Sequence, residues 1–485
     1  MEVLQRTANR GSISTGYDID NSLKLESDNS EYLKAEGRPA GNQQVWTWSC
    51  WLKRTEVNNG AIAQYIFSAG SDGKLGLYFR DDSSSTGGDT IFIYVDEGNS
   101  LKWIGELRVS FRDTSAWYHI VFAVDSTDGT AADRTKIYVN GVQQTITFNA
   151  TLNQNSNTRI GDSGGKLSIG AKMDGSYEFN GYMAEVVLVD GSQLTPTSFG
   201  EFDDDSGIWK PKDVSSLSLG NAGFYMNFDD SSNLGKVQTG TNQGNFDLNN
   251  ITAADQATDT PTNNFCTLNP LDNNWANVPI INEGATNHHS DSANFEGSSG
   301  TIAMSSGKWY WEIKTMHSDG NVYMLGIGST QYGEAPGTQS PHDVLNFAGL
   351  YLANSGTEGG LFVTDSTGGS VYRNAFNPGA NYSAGDIYGF ALDLDSSTQT
   401  ITFYRNGSNI NPSSGAALDI AGACSILPVT VRLSIYEREA QCNFGGYTEF
   451  SISSAASDEN GYGTFEYAPP SGYYALCTKN LAEYG

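Results

Sequence analysis

Two strand-like runs in this chain each close on Asn-Gly: Lys136-Ile-Tyr-Val-Asn-Gly141 and, far downstream, Thr402-Phe-Tyr-Arg-Asn-Gly407. Asn-Gly is the pair that most readily supplies two successive positive φ angles, the requirement of a two-residue hairpin turn. Asp, Ser and Thr turn formers precede each run, and another short apolar run follows. The constraint is strong, because antiparallel hairpins at both ends of a chain point to β modules rather than to one doubly wound α/β domain.

Bulk properties narrow the classes further. At 485 residues the chain exceeds one comfortable core, so two or three domains are expected. Lys and Arg number 27 against 55 Asp and Glu, a formal net charge of −28 at pH 7. Such a surface repels nucleic acid and anionic membranes unless a basic patch overrides the mean. The compact basic groups, Lys53-Arg54 and Lys210-Pro211-Lys212, are too small to line a polyanion groove. Aromatic residues reach 12%, which argues for packed cores. The five cysteines, Cys50, Cys266, Cys424, Cys442 and Cys477, show no zinc-ribbon spacing, and their odd number leaves at least one without an intramolecular partner. Met1–Arg10 carries no apolar signal core, and no segment is apolar over the length of a bilayer. The expectation is synthesis in a cytoplasm without membrane insertion.

Strand signals run through the first part. Val45-Trp-Thr-Trp-Ser-Cys-Trp-Leu52 places Trp46, Trp48, Cys50 and Leu52 on one face, the period of a half-buried strand. Further candidates are 22–25, 63–68, 75–79, 90–95, 107–111, 117–124, 135–139, 166–170, 181–189 and 223–228, with Ser192–Phe199 as a short helical excursion or irregular cover. Asn, Asp, Gln, Thr and Gly then dominate 229–262, although Phe246, Leu248 and Ile251 argue against a purely flexible linker. Phe265, Leu268 and Trp275 continue that argument to about residue 300. The second part resumes with 308–313, 322–327, 345–352, 387–394, 400–404, 429–436 and 473–476. The fold class expected is therefore all-β, two antiparallel β-sandwiches of jelly-roll type in tandem. The domains are read as 1–230, a loop-rich bridge over 231–295, and 296–485.

Several of these runs also carry family resemblances. Trp46-Thr-Trp-Ser-Cys-Trp-Leu-Lys53, Trp117-Tyr-His-Ile120, Lys136 to Gly141, Leu167-Ser-Ile-Gly170 and Phe179-Asn-Gly-Tyr-Met-Ala-Glu-Val186 resemble, in order, the laminin G-like branch of the concanavalin A-like jelly rolls. Gly307-Lys-Trp-Tyr-Trp-Glu312, Gly385 to Asp393, Thr402 to Gly407, Asn443-Phe-Gly445 and Pro469-Pro-Ser-Gly-Tyr473 resemble a SPRY domain. The pair is similar to surface proteins of tailed, especially marine, bacteriophages. That resemblance implies a virion-surface location, contacts with other virion proteins, a homo-oligomer or multi-copy assembly, and a host-surface glycan as a further partner. Laminin G-like domains include calcium-assisted glycan binders. Here the usual Asp-Glu-Val strand entry is Ala184-Glu185-Val186, one carboxylate short. No cofactor is required, and Asp162 and Asp174 are the candidate ligands for a calcium ion; both also suit ordinary Gly-rich turns.

Catalytic chemistry is thinly represented, and no catalytic residue is assigned. Glu26-Ser-Asp-Asn-Ser-Glu31 superficially matches a glucanase carboxylate motif, but its polar filler reads as a turn rather than a strand. His119 sits in a strand, where packing is the expected role. In His288-His289-Ser-Asp291 adjacent histidines should point apart. No nucleophile elbow or phosphate loop is present. Most of the tryptophans belong in cores. The function expected is a non-enzymatic virion structural protein, such as a fibre, head decoration or tail-associated component. A carbohydrate-binding adhesin is the alternative, and a polysaccharide hydrolase a distant third.

Overall fold

The computed structural model describes residues 16–57, 63–70, 74–80, 88–97, 100–240, 244–272, 279–290, 294–318, 322–330, 347–352, 359–364, 370–372, 382–421 and 427–485. Met1–Arg10, Trp275, Asp291, Leu345 and Cys424 lie outside them. The chain divides between Thr262 and Asn263 into two compact units, each with its own apolar core. Both are all-β, and nearly all strand pairs are antiparallel.

In the N-terminal unit two sheets face each other. One runs, in spatial order, through strands 142–143, 135–139, 117–125, 45–54, 181–190, 22–25 and 256–257, with 224–226 added on strand 181–190. The other runs through 146–150, 100–107, 90–97, 75–80, 64–69, 167–169, 32–35 and 247–249. Trp46, Trp48, Cys50 and Leu52 do share the core face and are fully buried. The Trp48 ring stacks on Phe67 of the opposite sheet at 4.3 Å, and Trp46 meets Phe122 edge-on at 5.1 Å.

The expectation of a half-buried strand fails for 45–54, because its other face is covered as well. Residues 191–222 fold back over that face, and Phe199, Val214 and Leu219 pack on Val121, Val187 and Val189. The 192–199 stretch contributes one 3₁₀ turn, Pro196–Ser198. The expected strand at 107–111 is displaced: Ser100–Leu107 is the strand, and the chain leaves the sheet after it. Leu107 and Phe111 are both buried, which gave the run its strand-like appearance.

The stretch 231–295 is shared between the units. Asp247–Asn249 and Gln256–Ala257 extend the two N-terminal sheets, whereas Ile280–Asn282 and Asn287–His289 begin a C-terminal one. That sheet continues through 439–443, 308–315, 387–393, 400–405 and 408–409; its partner comprises 295–304, 429–436, 323–329, 347–352, 359–364 and 370–372.

Both Asn-Gly turns have the expected geometry, with φ of 48° and 79° at Asn140-Gly141 and 49° and 76° at Asn406-Gly407. Each Asn does a second job that φ alone does not require. The Asn140 amide N–H donates to His119 O and its Oδ1 accepts from His119 N; Asn406 makes the same two bonds with Ile387. The side chain thus completes one more rung of the ladder beyond the strand. An aromatic ring also covers each glycine. A Cβ on Gly141 would meet Trp209 at 2.3 Å, and one on Gly407 would meet Tyr467 at 2.6 Å. Asn406→Ala is therefore expected to cost about 1–2 kcal/mol in urea denaturation, from the lost rung and the strained positive φ.

The run Trp309-Tyr-Trp-Glu312 also has a structural explanation in its neighbours. Trp309 and Trp311 are fully buried, and Trp311 stacks on Phe390 at 5.2 Å. Glu312 is buried too, yet it accepts from the backbone N–H groups of Glu466 and Tyr467, Tyr310 Oη and Asn443 Nδ2. Asn443 is itself satisfied by Thr464 O and Gly445 N–H. The two motif fragments, 307–312 and 443–445, meet in this polar knot.

Candidate functional site

The basic groups seen in the sequence are engaged within the protein. Buried Lys53 pairs with Asp259 at 2.7 Å, buried Arg54 with Asp89 at 2.8 Å, and Lys210 with Asp203 at 3.1 Å. The Glu26–Glu31 segment forms the turn between strands 22–25 and 32–35. Glu31 is buried there against Lys24, which also reaches Asp255, in an ion-paired cluster rather than a cleft.

His119 has the partners of a nucleophile's base but the wrong tautomer. Trp209 Nε1 can only donate, and it donates to His119 Nδ1 at 2.9 Å. The remaining ring proton is therefore on Nε2 and points at Ser49 Oγ, also 2.9 Å away. The ring is stacked on Trp51, and burial holds its pKa down to about 3, so it remains a neutral donor to Ser49. His288 is likewise buried and bonded to Ser298, while His289 lies near Glu439 on the outer side.

Asp162 and Asp174 each have a cation of the protein beside them. Asp162 lies 3.7 Å from Arg159. Asp174 pairs with Lys172 at 2.9 Å and accepts from Ser176 Oγ, the bonds that keep its carboxyl below the usual range. Among the described residues no three acidic, His or Cys side chains group as metal ligands. Calcium takes about six to eight oxygens, and each of these two carboxylates has a protein cation beside it instead.

A different site appears on the second N-terminal sheet. Alternation sends Leu75, Leu77, Phe79, Ile91, Ile93, Val95 and Trp103 into the core. Tyr78, Arg80, Phe92, Tyr94 and Ile104 therefore project from the opposite face. With Ala63, Tyr65, Asn149 and Tyr177 they line a cavity of about 380 Å³, within the order of 300–1,000 Å³ typical of small-ligand sites. Register puts Tyr65, Tyr78 and Phe92 directly opposite one another on three adjacent strands. β-Bulges flank the cavity on strands 64–69 and 146–150, at Ile66 and Asn149. The first lets Ile66 and Phe67 both enter the core while Tyr65 stays outside it.

The rings form one column. Tyr65 and Tyr78 stack at 4.7 Å with 20° between planes, Tyr78 and Phe92 at 5.8 Å with 28°, and Tyr177 approaches Tyr65 at 6.1 Å. A cation caps each end: Arg80 lies 4.6 Å over Phe92, and Lys172 lies 5.8 Å from the Tyr177 ring centre. Gly76 makes room for the column, since a Cβ there would lie 2.5 Å from Tyr65 Cε1. Because the inner rings stack on each other, their faces are already engaged and their edges and hydroxyls line the space. Burial pushes the Tyr65 phenol well up and the Tyr78 phenol to about 12, so both stay protonated, each able to donate and to accept. Neither hydroxyl, nor that of Tyr177, has a hydrogen-bond partner among the described residues.

The tyrosines went unseen in the sequence because outward positions on alternating strands look like solvent positions. Every tryptophan among the described residues, by contrast, is buried.

Comparison with known proteins places the N-terminal unit. Residues 27–197 match the family model of the concanavalin A-like lectin/glucanases superfamily. No curated protein matches the chain. Similar solved structures include a SAP-like pentraxin from Limulus polyphemus (17% identity, 37% of this chain and 80% of that one, TM-score 0.29). Another is the SPRY domain of human HERC1 (11%, 36% and 94%, TM-score 0.24). A third is the carbohydrate-binding module CBM66 from Bacillus subtilis (11%, 33% and 83%, TM-score 0.21). The concanavalin A-like jelly roll anticipated for the first unit is thus its fold.

Proposed function

We propose that the chain is a non-enzymatic glycan-binding protein whose site is the aromatic cavity on the sheet containing Tyr65, Tyr78 and Phe92. One observation carries this reading: three tyrosines whose hydroxyls have no hydrogen-bond partner among the described residues line one cavity of ligand size. Sugars offer apolar C–H faces beside hydroxyls that donate and accept, which complements neutral phenols on an aromatic floor. Tyr177, 42% exposed, contributes the most open ring among the lining residues. The match of 27–197 to a lectin and glucanase superfamily supports the ligand class. Hydrolysis needs two carboxylates across the scissile bond, and no carboxylate is among the described lining residues.

The labelled full chain applied to a broad glycan array should bind at least one glycan. Tyr78→Ala and Tyr177→Ala should each weaken that binding about tenfold, roughly 1.4 kcal/mol, in titration calorimetry. Chelation by EDTA should leave it unchanged. An array without signal, or tyrosine variants that bind like wild type, would overturn the assignment.

We further propose a setting for the site, the surface of a tailed-phage virion displaying it in several copies so that weak contacts add through avidity. The support for this setting is the sequence resemblance of the paired sandwiches. Immunogold labelling of purified particles tests it, and absence of the chain from them would dismiss it.

A further inference from the structure

In strand 22–25 alternation sends Leu23 and Leu25 into the core, so Lys24 leaves the sheet on the opposite face, yet its side chain is 1% exposed. Leu23 pairs with Gln256, which brings Asp255, at the end of the 3₁₀ turn Ala253–Asp255, level with Lys24. Lys24 Nζ lies 2.9 Å from Asp255 Oδ1 and 3.0 and 2.9 Å from the two oxygens of Glu31. The Asp255 and Glu31 side chains are 6% and 3% exposed, so bulk water is largely excluded from the three groups. We propose that Lys24 and Asp255 condense into an intramolecular isopeptide bond and that Glu31 is the catalytic residue that carries the protons.

The contacts of each carboxyl assign its role. Glu31 accepts from Nζ with both oxygens and is placed to take its proton. Burial above all raises the Glu31 carboxyl from its ordinary value of 4.5, which suits a group that must take up a proton and give it back. Asp255 meets Nζ through Oδ1, while its Oδ2 accepts from Thr252 N–H at 2.7 Å and from Thr252 Oγ1 at 3.1 Å. Those two donors stand where negative charge grows when nitrogen adds to Cγ, the arrangement of an oxyanion hole.

The Lys24 ammonium passes one proton to Glu31, and the freed lone pair adds to Asp255 Cγ to form the C–N bond. Glu31 returns that proton, and then a second one from the nitrogen, to Oδ1; the Cγ–Oδ1 bond breaks and one water leaves. The sum is ammonium plus carboxylate giving amide plus water, without oxidant or cofactor. Two buried charges vanish, and with them the desolvation penalty they carry as an ion pair. The fold supplies the reactants already adjacent, in place of an encounter in solution. The bond ties the first strand of the N-terminal unit to the turn before strand 256–257.

Intact mass spectrometry and tryptic peptide mapping of the folded full chain test this. Wild type should be lighter than its sequence by one water, and the map should contain a branched peptide joining Lys24 to Asp255. Lys24→Met and Asp255→Ala should each lack the branch. Glu31→Gln keeps the shape without a carboxyl that can carry protons, and should lower the yield rate of the branched peptide at least about a hundredfold. Wild type at full sequence mass after extended incubation at neutral pH, a branch joining Lys24 to Glu31 instead, or undiminished branching in Glu31→Gln overturns the proposal. The wild-type mass and map decide even where a variant fails to fold, and near-UV circular dichroism shows which variants do fold. The glycan-binding reading is independent of every one of these outcomes.

Discussion

Glu312→Ala is expected to destabilise the C-terminal unit by at least about 3 kcal/mol, the largest single-site effect foreseen for this chain. The carboxylate is fully buried and accepts four hydrogen bonds: Tyr467 N–H at 2.8 Å, Glu466 N–H at 2.9 Å, Asn443 Nδ2 at 3.1 Å and Tyr310 Oη at 3.2 Å. Truncation leaves these donors facing a void, and each unsatisfied buried donor costs on the order of 1–3 kcal/mol before relaxation. Two of the donors are backbone groups that tether 464–467 to strand 308–315, so the loss reaches beyond one side chain. Urea denaturation of the full chain, with hydrogen exchange followed at Glu466 and Tyr467, measures it. Glu312→Gln should fall between, because one acceptor oxygen becomes an amide that meets donors. A Glu312→Ala protein as stable as wild type, with unchanged protection at 466–467, would refute the tether.

The second large effect is a pH dependence from Glu185. This residue lies in a β-bulge of strand 181–190, at a φ of 50°, and is 5% exposed. Tyr225 Oη donates to its Oε1 at 2.6 Å and Tyr17 Oη at 3.2 Å, whereas Oε2 is buried without a partner among the described residues. Burial dominates and pushes the carboxyl up to about 7. A carboxyl whose folded pKa is raised holds a proton that the unfolded chain has already released. Its stabilising contribution is therefore full below the unfolded value of about 4.5 and declines as pH rises to about 7. The decline amounts to about 3 kcal/mol for this group. Glu185→Gln, which stays neutral, should remove this group's share of the slope between pH 4.5 and 7.5 and leave that of Glu312, whose carboxyl burial likewise pushes up to about 7. Parallel profiles for wild type and Glu185→Gln would show that Glu185 does not titrate in this window.

Much of the scaffold was legible before folding. Strand 45–54 alternates its Trp and Cys residues so plainly that its core face could be named residue by residue. Other strands were hidden: Glu439–Asn443 is short and polar at both ends, and it is strand only because it lies between 287–289 and 308–315. The candidate site was not legible. Tyr65, Tyr78 and Phe92 are separated by whole strands and hairpins, and only register makes them neighbours. Asp162 and Asp174 looked available in isolation, whereas the fold gives them Arg159 and Lys172 as partners.

The sequence by itself determined the two Asn-Gly hairpins, because the φ > 0 requirement of a tight turn is local and few residue pairs meet it. It determined the core faces of the strongest strands for a similar reason: alternation is a property of consecutive residues. Which outward face stays open was a tertiary decision. The excursion at 191–222 covers the outer face of one N-terminal sheet, burying Trp51 and His119, while the Tyr65–Phe92 face of the other retains its cavity. Both faces carry aromatic side chains, and no local period distinguishes an aromatic that will be covered from one that will line a site. That distinction arises from contacts between segments far apart in the chain.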